Sequence, residues 1–294
     1  MTSDGSRAGA APLLREGRRV GTGYVVERFL GAGAYAEVYR VRHRYLGRQA
    51  MKVFKRLGSR AVAEEMLAEA VLLTRLGHPH IVRVFDAGTV PTLSGERAYF
   101  TMEYVAGGTL ERFRHGHLAR GEHVPVADTL RILRQIGSGL ALAHAETPPI
   151  VHRDITTQNI LIGYDAQGLR ARLGDFGLAT PTDPATLLAS AQGVLDFKPP
   201  ETLLGFRGDS PTGDVWALGV VGYLLLTDVF PYPKGVAGWI SGSYRRAPPV
   251  PPRDLNPDVG PLLEDVVLQA LHPDRTRRPR DAAALVALLA ECGE

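Results

Sequence analysis

Two short runs of polar residues in the middle of the chain have types and spacing that suit group-transfer chemistry. The run His152–Asp154 ends in a carboxylate, and the amide of Asn159 follows five positions later. A second carboxylate, Asp175, opens an Asp-Phe-Gly triplet. A carboxylate can accept a proton, and carboxylate and amide oxygens can bind a divalent cation. Neither run is specific by itself, so the weight lies in their order, their separation and the motifs around them.

The ordered pair of runs, Val151–Leu161 and Leu173–Leu178, resembles the catalytic core of a protein kinase, in the style of bacterial Hanks-type serine/threonine kinases. The resemblance implies that Asp154 is the catalytic base or orients the acceptor hydroxyl. It implies that Asn159 and Asp175 are the ligands of Mg²⁺, which bridges to the phosphates of ATP.

The same resemblance assigns roles to the neighbours of these residues. Arg153 belongs to the catalytic set, because a guanidinium beside the base can bind phosphate on an activation segment. Leu161 would pack beneath the adenine ring. His152 and Phe176 would pack as internal core residues.

The segment Tyr24–Val41 reads as two strands joined by a glycine-containing turn. Glycines let backbone N–H groups approach an anion without a Cβ in the way. By the resemblance, the ATP-binding residues of this hairpin are Leu30, Gly31, Ala32, Gly33 and Val38, the last covering the adenine face. Ala36 replaces the third glycine of the family pattern, and an ordinary β-turn is the alternative interpretation.

A lysine lies among mostly apolar residues in the predicted strand Arg48–Phe54. The resemblance makes Lys52 the residue that holds the α- and β-phosphates, with Ala50 in the same ATP site and Glu69 as the partner of the lysine. Glu69 lies at the edge of an apolar stripe on a predicted helix over residues 61–76. The alternative is a solvated glutamate on an amphipathic helix.

The stretch Ala98–Leu110 reads as a buried strand followed by a Gly-Gly loop. It resembles the kinase hinge, which implies that Met102 is the gatekeeper and that backbone groups of Glu103 and Val105 bind the adenine edge. Apart from the other motifs, this stretch would be an ordinary strand and loop.

The stretch from Asp175 to Glu201 corresponds to a kinase activation segment, and the sequence does not choose among its hydroxyl groups as phosphorylation sites. Four candidates are named: Thr180, Thr182, Thr186 and Ser190. The segment ends in Phe197–Glu201, which resembles the family's A-P-E motif with Pro199 in place of alanine.

Two downstream features distinguish protein kinases from small-molecule phosphotransferases. Asp214–Gly219 matches the family pattern D-x-W-x-x-G, and Arg278 is expected to form a salt bridge with Glu201. Small-molecule phosphotransferases share the catalytic Asp/Asn and metal-binding Asp but generally lack these elements.

The chain departs from the family at two positions. Serine/threonine kinases usually have a lysine two residues after the catalytic aspartate, where it neutralises the transferring phosphoryl group, whereas this chain has Thr156. The threonine that commonly precedes the P-E motif is Val194 here. The absence of both side chains leaves three alternatives: altered acceptor choice, slow catalysis or none. Loss of a transition-state donor can lower the rate by about 10² to 10³ while nucleotide binding persists.

Composition limits the other classes of function. With 294 residues the chain is longer than one core usually organises, and a 45% hydrophobic content is that of a globular protein. The 34 basic and 31 acidic residues give a net charge of +3, too small an excess to predict a nucleic-acid partner. A single cysteine, Cys292, excludes a disulfide framework.

We therefore expect an α+β, two-lobed kinase fold: a flexible tail over residues 1–22 and a kinase domain over 23–290, with a mostly antiparallel small lobe at 23–104 and a helical large lobe at 107–290. The apolar run Val215–Leu226 is too short to span a bilayer and is expected to be a buried helix. No signal peptide, membrane span or attached sensor is expected, and a cytoplasmic location is predicted.

The leading hypothesis is an ATP- and Mg²⁺-dependent kinase acting on serine or threonine of protein substrates in bacterial signalling, with a kinase dimer for autophosphorylation. The chief alternative is a pseudokinase-like module that binds nucleotide and signals by docking a partner. A small-molecule kinase is the third hypothesis.

Overall fold

The chain folds into two compact units with different secondary structure. The computed structural model describes residues 12–33, 35–55, 74, 76–176, 195–203, 210–232 and 248–293. One unit comprises Met1–Arg75 and Arg83–Tyr104, and the other comprises Leu76–Val82 and Val105–Glu294. In the described residues, the first is an antiparallel sheet and the second is mainly helical. The predicted α+β fold class, with a mostly antiparallel sheet in one unit and mainly helices in the other, is confirmed.

The described residues of the first unit include a six-stranded sheet in which every neighbouring pair is antiparallel. Its order is β1-β2-β3-β4-β6-β5. The strands are β1 (Arg19–Val20), β2 (Tyr24–Ala32), β3 (Ala36–His43), β4 (Gly47–Phe54), β5 (Val84–Thr92) and β6 (Gly95–Glu103). The hairpin predicted over Tyr24–Val41 is thus β2 and β3, and the predicted lysine strand is β4.

The apolar core of the unit lies on one face of this sheet. Side chains alternate between the two faces of a strand, so apolar residues at every second position share that face. Tyr39 of β3 lies opposite Met51 of β4, and both side chains are fully buried. Their neighbours two positions away, Val41 and Val53, point to the same side and are also fully buried. The whole cluster comprises Leu14, Val20, Tyr24, Val26, Tyr39, Val41, Met51, Val53, Val90 and Tyr99.

The prediction of a flexible tail to residue 22 is wrong for its last part. Leu14 is 2% exposed within the sheet core, and its backbone N–H donates to the Tyr39 hydroxyl at 3.0 Å. The Leu13 N–H donates to a carboxylate oxygen of Glu37 at 2.8 Å, and β1 pairs with β2. Two adjacent leucines and a strand of two residues are too short a pattern to stand out in a Gly/Ala/Arg-rich stretch.

Where the structure describes it, the second unit consists of helices and one β-hairpin. The helices are α1 (Leu110–Leu118), α2 (Val126–His144), α3 (Pro200–Leu203), α4 (Pro211–Thr227), α5 (Pro252–Leu255), α6 (Pro261–Ala270) and α7 (Ala282–Ala290). Strands β7 (Ile160–Asp165) and β8 (Gly168–Leu173) form the hairpin, and short 3₁₀ turns lie at Leu195–Phe197 and Arg275–Arg277.

Helix α4 forms the centre of this unit, as its sequence predicts. Every residue from Gly213 to Thr227 is buried, so the helix contacts protein on all sides. Helices α2, α6 and α7 pack around it. Among the described residues, no helix combines the length and the apolar character that a membrane crossing requires.

The predicted ion pair between Glu201 and Arg278 is present in the second unit. Arg278 Nη1 lies 2.8 Å from Glu201 Oε1, and Nη2 lies 2.9 Å from Oε2, which is a bidentate contact. The guanidinium carbon also lies 4.7 Å from the centre of the Trp216 ring. The pair fixes α3 to the segment before α7, at the end of the chain stretch that contains Lys198.

Candidate active site

The β7–β8 hairpin brings two of the predicted site residues together. Ile160 pairs with Leu173, so the residues just beyond that pair lie side by side. The Gly174 N–H donates to the carbonyl of Asn159 at 2.8 Å. Asn159 precedes β7 and Asp175 follows β8 by two residues, and the ladder therefore places the amide and the carboxylate at the same end of the hairpin.

A carboxylate of the buried helix α4 accepts hydrogen bonds from the backbone of the loop that carries Asp154. Asp214 Oδ2 accepts from the His152 N–H at 2.7 Å, and Oδ1 accepts from the Arg153 N–H at 2.9 Å. Asp214 is 1% exposed, so its charge is balanced by these donors rather than by water. The aspartate of the D-x-W-x-x-G pattern thus stabilises the backbone of the loop that carries Asp154.

His144 completes this support and was not identified from the sequence. Its Nδ1 accepts from the Ala282 N–H at 3.2 Å, so the ring proton lies on Nε2, which donates to Asp214 Oδ2 at 3.0 Å. His144 is the last residue of α2, and its position within an otherwise apolar helix end was the one available sequence signal.

His152 connects the loop that carries Asp154 to the segment around Asp175. Its side chain is fully buried, with Nδ1 accepting from the Asp154 N–H at 3.2 Å and Nε2 donating to the Gly174 carbonyl at 3.0 Å. The Phe176 ring lies 4.5 Å from the imidazole. Burial lowers the pKa of His152, although neighbouring carboxylates oppose the shift. The two side chains lie in the interior, as the resemblance implied.

Asp154 contacts a side chain of its own loop and a lysine that is distant in the sequence. Asn159 Nδ2 donates to Asp154 Oδ2 at 3.0 Å and to its carbonyl at 2.7 Å. Lys198 Nζ lies 3.0 Å from Asp154 Oδ1. Because the amide nitrogen of Asn159 faces Asp154, its Oδ1 is the atom that can bind a cation.

The backbone around the two carboxylates is strained. Arg153 has φ of 69° and Asp175 has φ of 54°, both in the left-handed region. Side-chain-bearing residues adopt this conformation at a cost, and such residues concentrate at functional sites. The surrounding hydrogen bonds, above all those of Asp214 to the loop, hold the strained conformation in place.

Thr156 and Thr157, which follow the Asp154 loop, are buried and serve local structure. Thr156 Oγ1 accepts from the Gln158 N–H at 3.3 Å, which caps a turn. Thr157 Oγ1 donates to Glu111 Oε2 of α1 at 2.6 Å. Neither side chain supplies the positive charge that the family pattern has at position 156.

In the first unit, four of the predicted ATP-binding side chains lie on one face of the sheet. Val38 is paired with Lys52, which is paired with Phe100, and Ala50 is paired with Met102. Residues opposite each other in register point to the same side. This side is the one opposite the Tyr39 and Met51 core. The Lys52 ammonium lies 5.7 Å from the centre of the Phe100 ring.

The glycine-containing turn lies at the end of this same face. Gly31 is paired with Val38, and the Gly33 N–H donates to the Ala36 carbonyl at 2.9 Å, which closes the turn. A Cβ added at Gly31 would meet no atom within 4 Å, so the backbone there is open to a ligand. Leu30 and Ala32 are exposed on β2.

The residues predicted to form the hinge belong to different units. Met102 and Glu103 end β6 in the first unit, where the Glu103 N–H donates to the Arg83 carbonyl at 2.8 Å. Val105 begins the longer segment of the second unit and is buried. Leu161 lies on β7, where it forms an isolated bridge with Thr109, the N-cap of α1.

Five predicted functional residues lie outside the residues that the structure describes: Glu69, Thr180, Thr182, Thr186 and Ser190. Val194 lies outside them as well. The roles given to these residues therefore stay predictions.

The oxygen donors near Asp154 suit Mg²⁺ better than a transition metal. Mg²⁺ prefers oxygen ligands and usually takes only one or two carboxylates from the protein, the rest coming from water and phosphate. Asn159 and Asp175 supply such a sparse oxygen set. Within the described ranges there is no cluster of three or more His, Cys, Asp or Glu that could hold a metal by itself.

The sequence of the chain is similar to a protein kinase family and to bacterial serine/threonine-protein kinases. Residues 24–285 match the family described as the protein kinase domain. The chain is 34% identical over 284 residues to the serine/threonine-protein kinase Pkn1 of Myxococcus xanthus, covering 94% of this chain and 38% of that protein. It is 34% identical over 248 residues to the serine/threonine-protein kinase PknA of Mycobacterium tuberculosis, covering 82% of this chain and 55% of that protein.

A third relative is the serine/threonine-protein kinase PrkC of Bacillus subtilis, 32% identical over 267 residues that cover 89% of this chain and 39% of that protein. The chain thus spans between about two fifths and just over half of the length of these three relatives.

Proposed function

We propose, because this chain belongs to the protein kinase domain family, that it transfers the γ-phosphoryl group of ATP to serine or threonine hydroxyls of protein substrates. One observation carries the proposal most directly. Asn159 donates to the Asp154 carboxylate on the loop that Asp214 anchors, and Asp175 follows Gly174, whose N–H donates to the Asn159 carbonyl. Such an arrangement combines a proton acceptor with a sparse oxygen site for a cation, which phosphoryl transfer requires.

In this proposal each residue acts at a stated atom. Asp154 orients the acceptor hydroxyl and takes its proton on a carboxylate oxygen. Asn159, through Oδ1, and Asp175 would hold Mg²⁺, which neutralises phosphate charge when bound. Lys52 would hold the α- and β-phosphates, with Glu69 as its partner. The face bearing Val38, Ala50 and Met102 would cover the adenine.

The bacterial serine/threonine-protein kinases among the relatives support a role in bacterial signalling. The acceptor would be a protein, and autophosphorylation within a kinase dimer would modify one of Thr180, Thr182, Thr186 or Ser190. Mass spectrometry of the purified protein, before and after incubation with ATP, would locate the phosphate.

The test is transfer of labelled phosphate from ATP, in the presence of Mg²⁺, to a generic protein acceptor. We expect labelled phosphoserine or phosphothreonine with the wild type and a loss of at least about 10²-fold in rate with Asp154→Asn, because the amide cannot accept the proton. Asp175→Asn should fail at low Mg²⁺ and recover partly at high Mg²⁺. Arg170→Met, which removes a partly exposed partner of Asp165, is the matched control and should transfer at the wild-type rate.

Other outcomes separate the competing hypotheses. Equal labelling by the wild type and Asp154→Asn would rule out the proposed catalysis. Nucleotide binding without transfer to any acceptor would instead identify a pseudokinase-like module. Labelling of a metabolite alone would identify a small-molecule kinase.

A further inference from the structure

A buried lysine from outside the catalytic loop contacts the proposed base. Lys198 Nζ lies 3.0 Å from Asp154 Oδ1 and donates to the Arg153 carbonyl at 2.6 Å. Lys198 is 8% exposed. A lysine is seldom so buried unless it is paired, and here the carboxylate of Asp154 balances its charge. Lys198 and Asp154 are separated by 44 positions in the sequence.

Packing on both sides fixes the position of this lysine. Phe197, just before it, is buried, and its ring lies 5.4 Å from that of Phe230 in an edge-on contact. The Lys198 N–H donates to the Leu195 carbonyl at 3.1 Å within the 3₁₀ turn. Glu201, three residues later, is held by the buried guanidinium of Arg278. The Lys198 side chain therefore extends from a backbone that is anchored at both ends.

The positive charge of Lys198 lies beside Asp154, whose own loop has Thr156 where the family pattern has a lysine. Phosphoryl transfer places negative charge on the oxygens of the moving group, and a cation beside the base stabilises that charge. Position 156 is a buried threonine whose hydroxyl caps a turn. An ammonium has three N–H donors, and the contacts with Asp154 and Arg153 use two of them.

We propose, on the basis of the function proposed above, that Lys198 replaces the lysine that the family pattern has at position 156. The ammonium group that stabilises the transferring phosphoryl group would then come from the stretch before α3 rather than from the loop that carries Asp154. Its third N–H would donate to an oxygen of the transferring γ-phosphoryl group. Lys198 is then a catalytic residue of this chain.

The reaction balances without any further reactant. The acceptor hydroxyl oxygen forms a bond to the γ-phosphorus, and the bond from that phosphorus to the β,γ-bridging oxygen of ATP breaks. The hydroxyl proton passes to the Asp154 carboxylate, and ADP leaves with the electron pair of the broken bond. Lys198 stays protonated throughout and stabilises the charge on the transferred group.

The experiment compares the full chain with Lys198→Met, which removes the charge but keeps the length of the side chain. We expect kcat to fall by about 10² to 10³, as for loss of a transition-state donor, while the Kd of ATP measured by titration stays within about threefold. The double variant Thr156→Lys/Lys198→Met returns the ammonium to the loop and should regain at least tenfold in kcat over Lys198→Met. Arg170→Met serves again as the control for loss of one positive charge.

A second pair of variants tests the same proposal if Lys198→Met does not fold. Lys198→Arg keeps the charge and Lys198→Gln removes it, and both remain polar. With equal unfolding midpoints, Lys198→Arg should retain at least tenfold more kcat than Lys198→Gln. A merely structural lysine would change stability and kcat together, whereas a catalytic one changes kcat at constant ATP affinity.

The outcomes are separable from those of the proposed function. An active wild type with an equally active Lys198→Met, or with equally active Arg and Gln variants, would overturn the assignment of Lys198 alone. A kcat that rises in Lys198→Met would make the ion pair inhibitory and overturn it too. A wild type that transfers phosphate to no acceptor would overturn the proposed function and this assignment with it.

Discussion

At the scale of single residues, the candidate site depends on one buried carboxylate that performs no chemistry itself. Asp214 accepts three hydrogen bonds, from the backbone N–H groups of His152 and Arg153 and from the His144 ring. Both of its oxygens are used as acceptors. The strained backbone at Arg153 is thereby fixed, which sets the position of the neighbouring Asp154.

Asp214→Asn should therefore lower both stability and phosphoryl transfer. An amide presents one NH₂ group, and in either orientation this group would face a donor that the carboxylate now satisfies. A buried donor without a partner costs about 1–3 kcal/mol, so we expect the free energy of unfolding to fall by that amount in urea denaturation. Asp258→Asn, at an exposed position, should change it by less than about 0.5 kcal/mol. Wild-type stability in Asp214→Asn would show that another contact holds the loop.

At the scale of elements, close packing around helix α4 depends on positions that lack a side chain. A Cβ at Gly219 would lie 2.9 Å from the Cβ of Ala270 in α6. A Cβ at Gly222 would lie 2.9 Å from Leu133 Cδ1 of α2. The first neighbour is attached directly to a helix backbone and cannot move alone, whereas the second is the end of a flexible side chain.

Gly219→Ala should for this reason destabilise the protein more than Gly222→Ala. Overpacking of a filled core costs about 1–3 kcal/mol, and Gly219→Ala should lie in that range. Gly116→Ala in α1, where an added Cβ meets nothing within 4 Å, should instead stabilise by about 0.5–1 kcal/mol through helix propensity. Urea unfolding of the three variants gives the order, and a Gly219→Ala protein at least as stable as the wild type would refute the packing argument.

At the scale of the whole molecule, the second unit contains three histidines whose pKa values burial lowers below 6.5: His78, His80 and His152. The imidazoles of His80 and His152 also bind backbone carbonyls in the interior, those of Ala171 and Gly174. As the pH falls below about 6.5, the unfolded chain takes up protons on these rings that the folded chain excludes. The folded state must then become less stable on the acidic side.

The free energy of unfolding should accordingly be nearly constant from pH 8 to pH 7 and should fall between pH 6.5 and pH 5.5. Each histidine can contribute at most about 1.4 kcal/mol per pH unit. Urea unfolding followed by tryptophan fluorescence would measure this, because Trp216 is fully buried in the second unit. His80→Gln should show a shallower fall with pH. Stability that rises toward pH 5.5 would contradict the assigned direction of the pKa shifts.

The sequence by itself predicted the fold class, the glycine-containing hairpin, the lysine strand, the buried helix over Val215–Leu226 and the ion pair between Glu201 and Arg278. Each follows from a local pattern or from a motif whose residues stand in a fixed order along the chain. Alternation of apolar residues indicates strands, and an uncharged run ended by aspartates indicates a buried helix. The roles given to Lys52, Asp154, Asn159 and Asp175 stay predictions, which the proposed transfer assay tests.

Only the tertiary structure decided the contacts between residues that no local pattern connects. Leu14 lies in the sheet core although its surroundings in the sequence resemble a disordered tail. His144 and Asp214, on two different helices, stabilise the loop that carries Asp154, and Lys198 contacts Asp154 although 44 positions separate them. A sequence shows which charges a chain has, but only folding brings the Lys198 ammonium within 3.0 Å of the Asp154 carboxylate. The packing of Phe197 and the ion pair of Arg278 set that distance, because they fix the backbone around Lys198. Spacing along the chain does not set it.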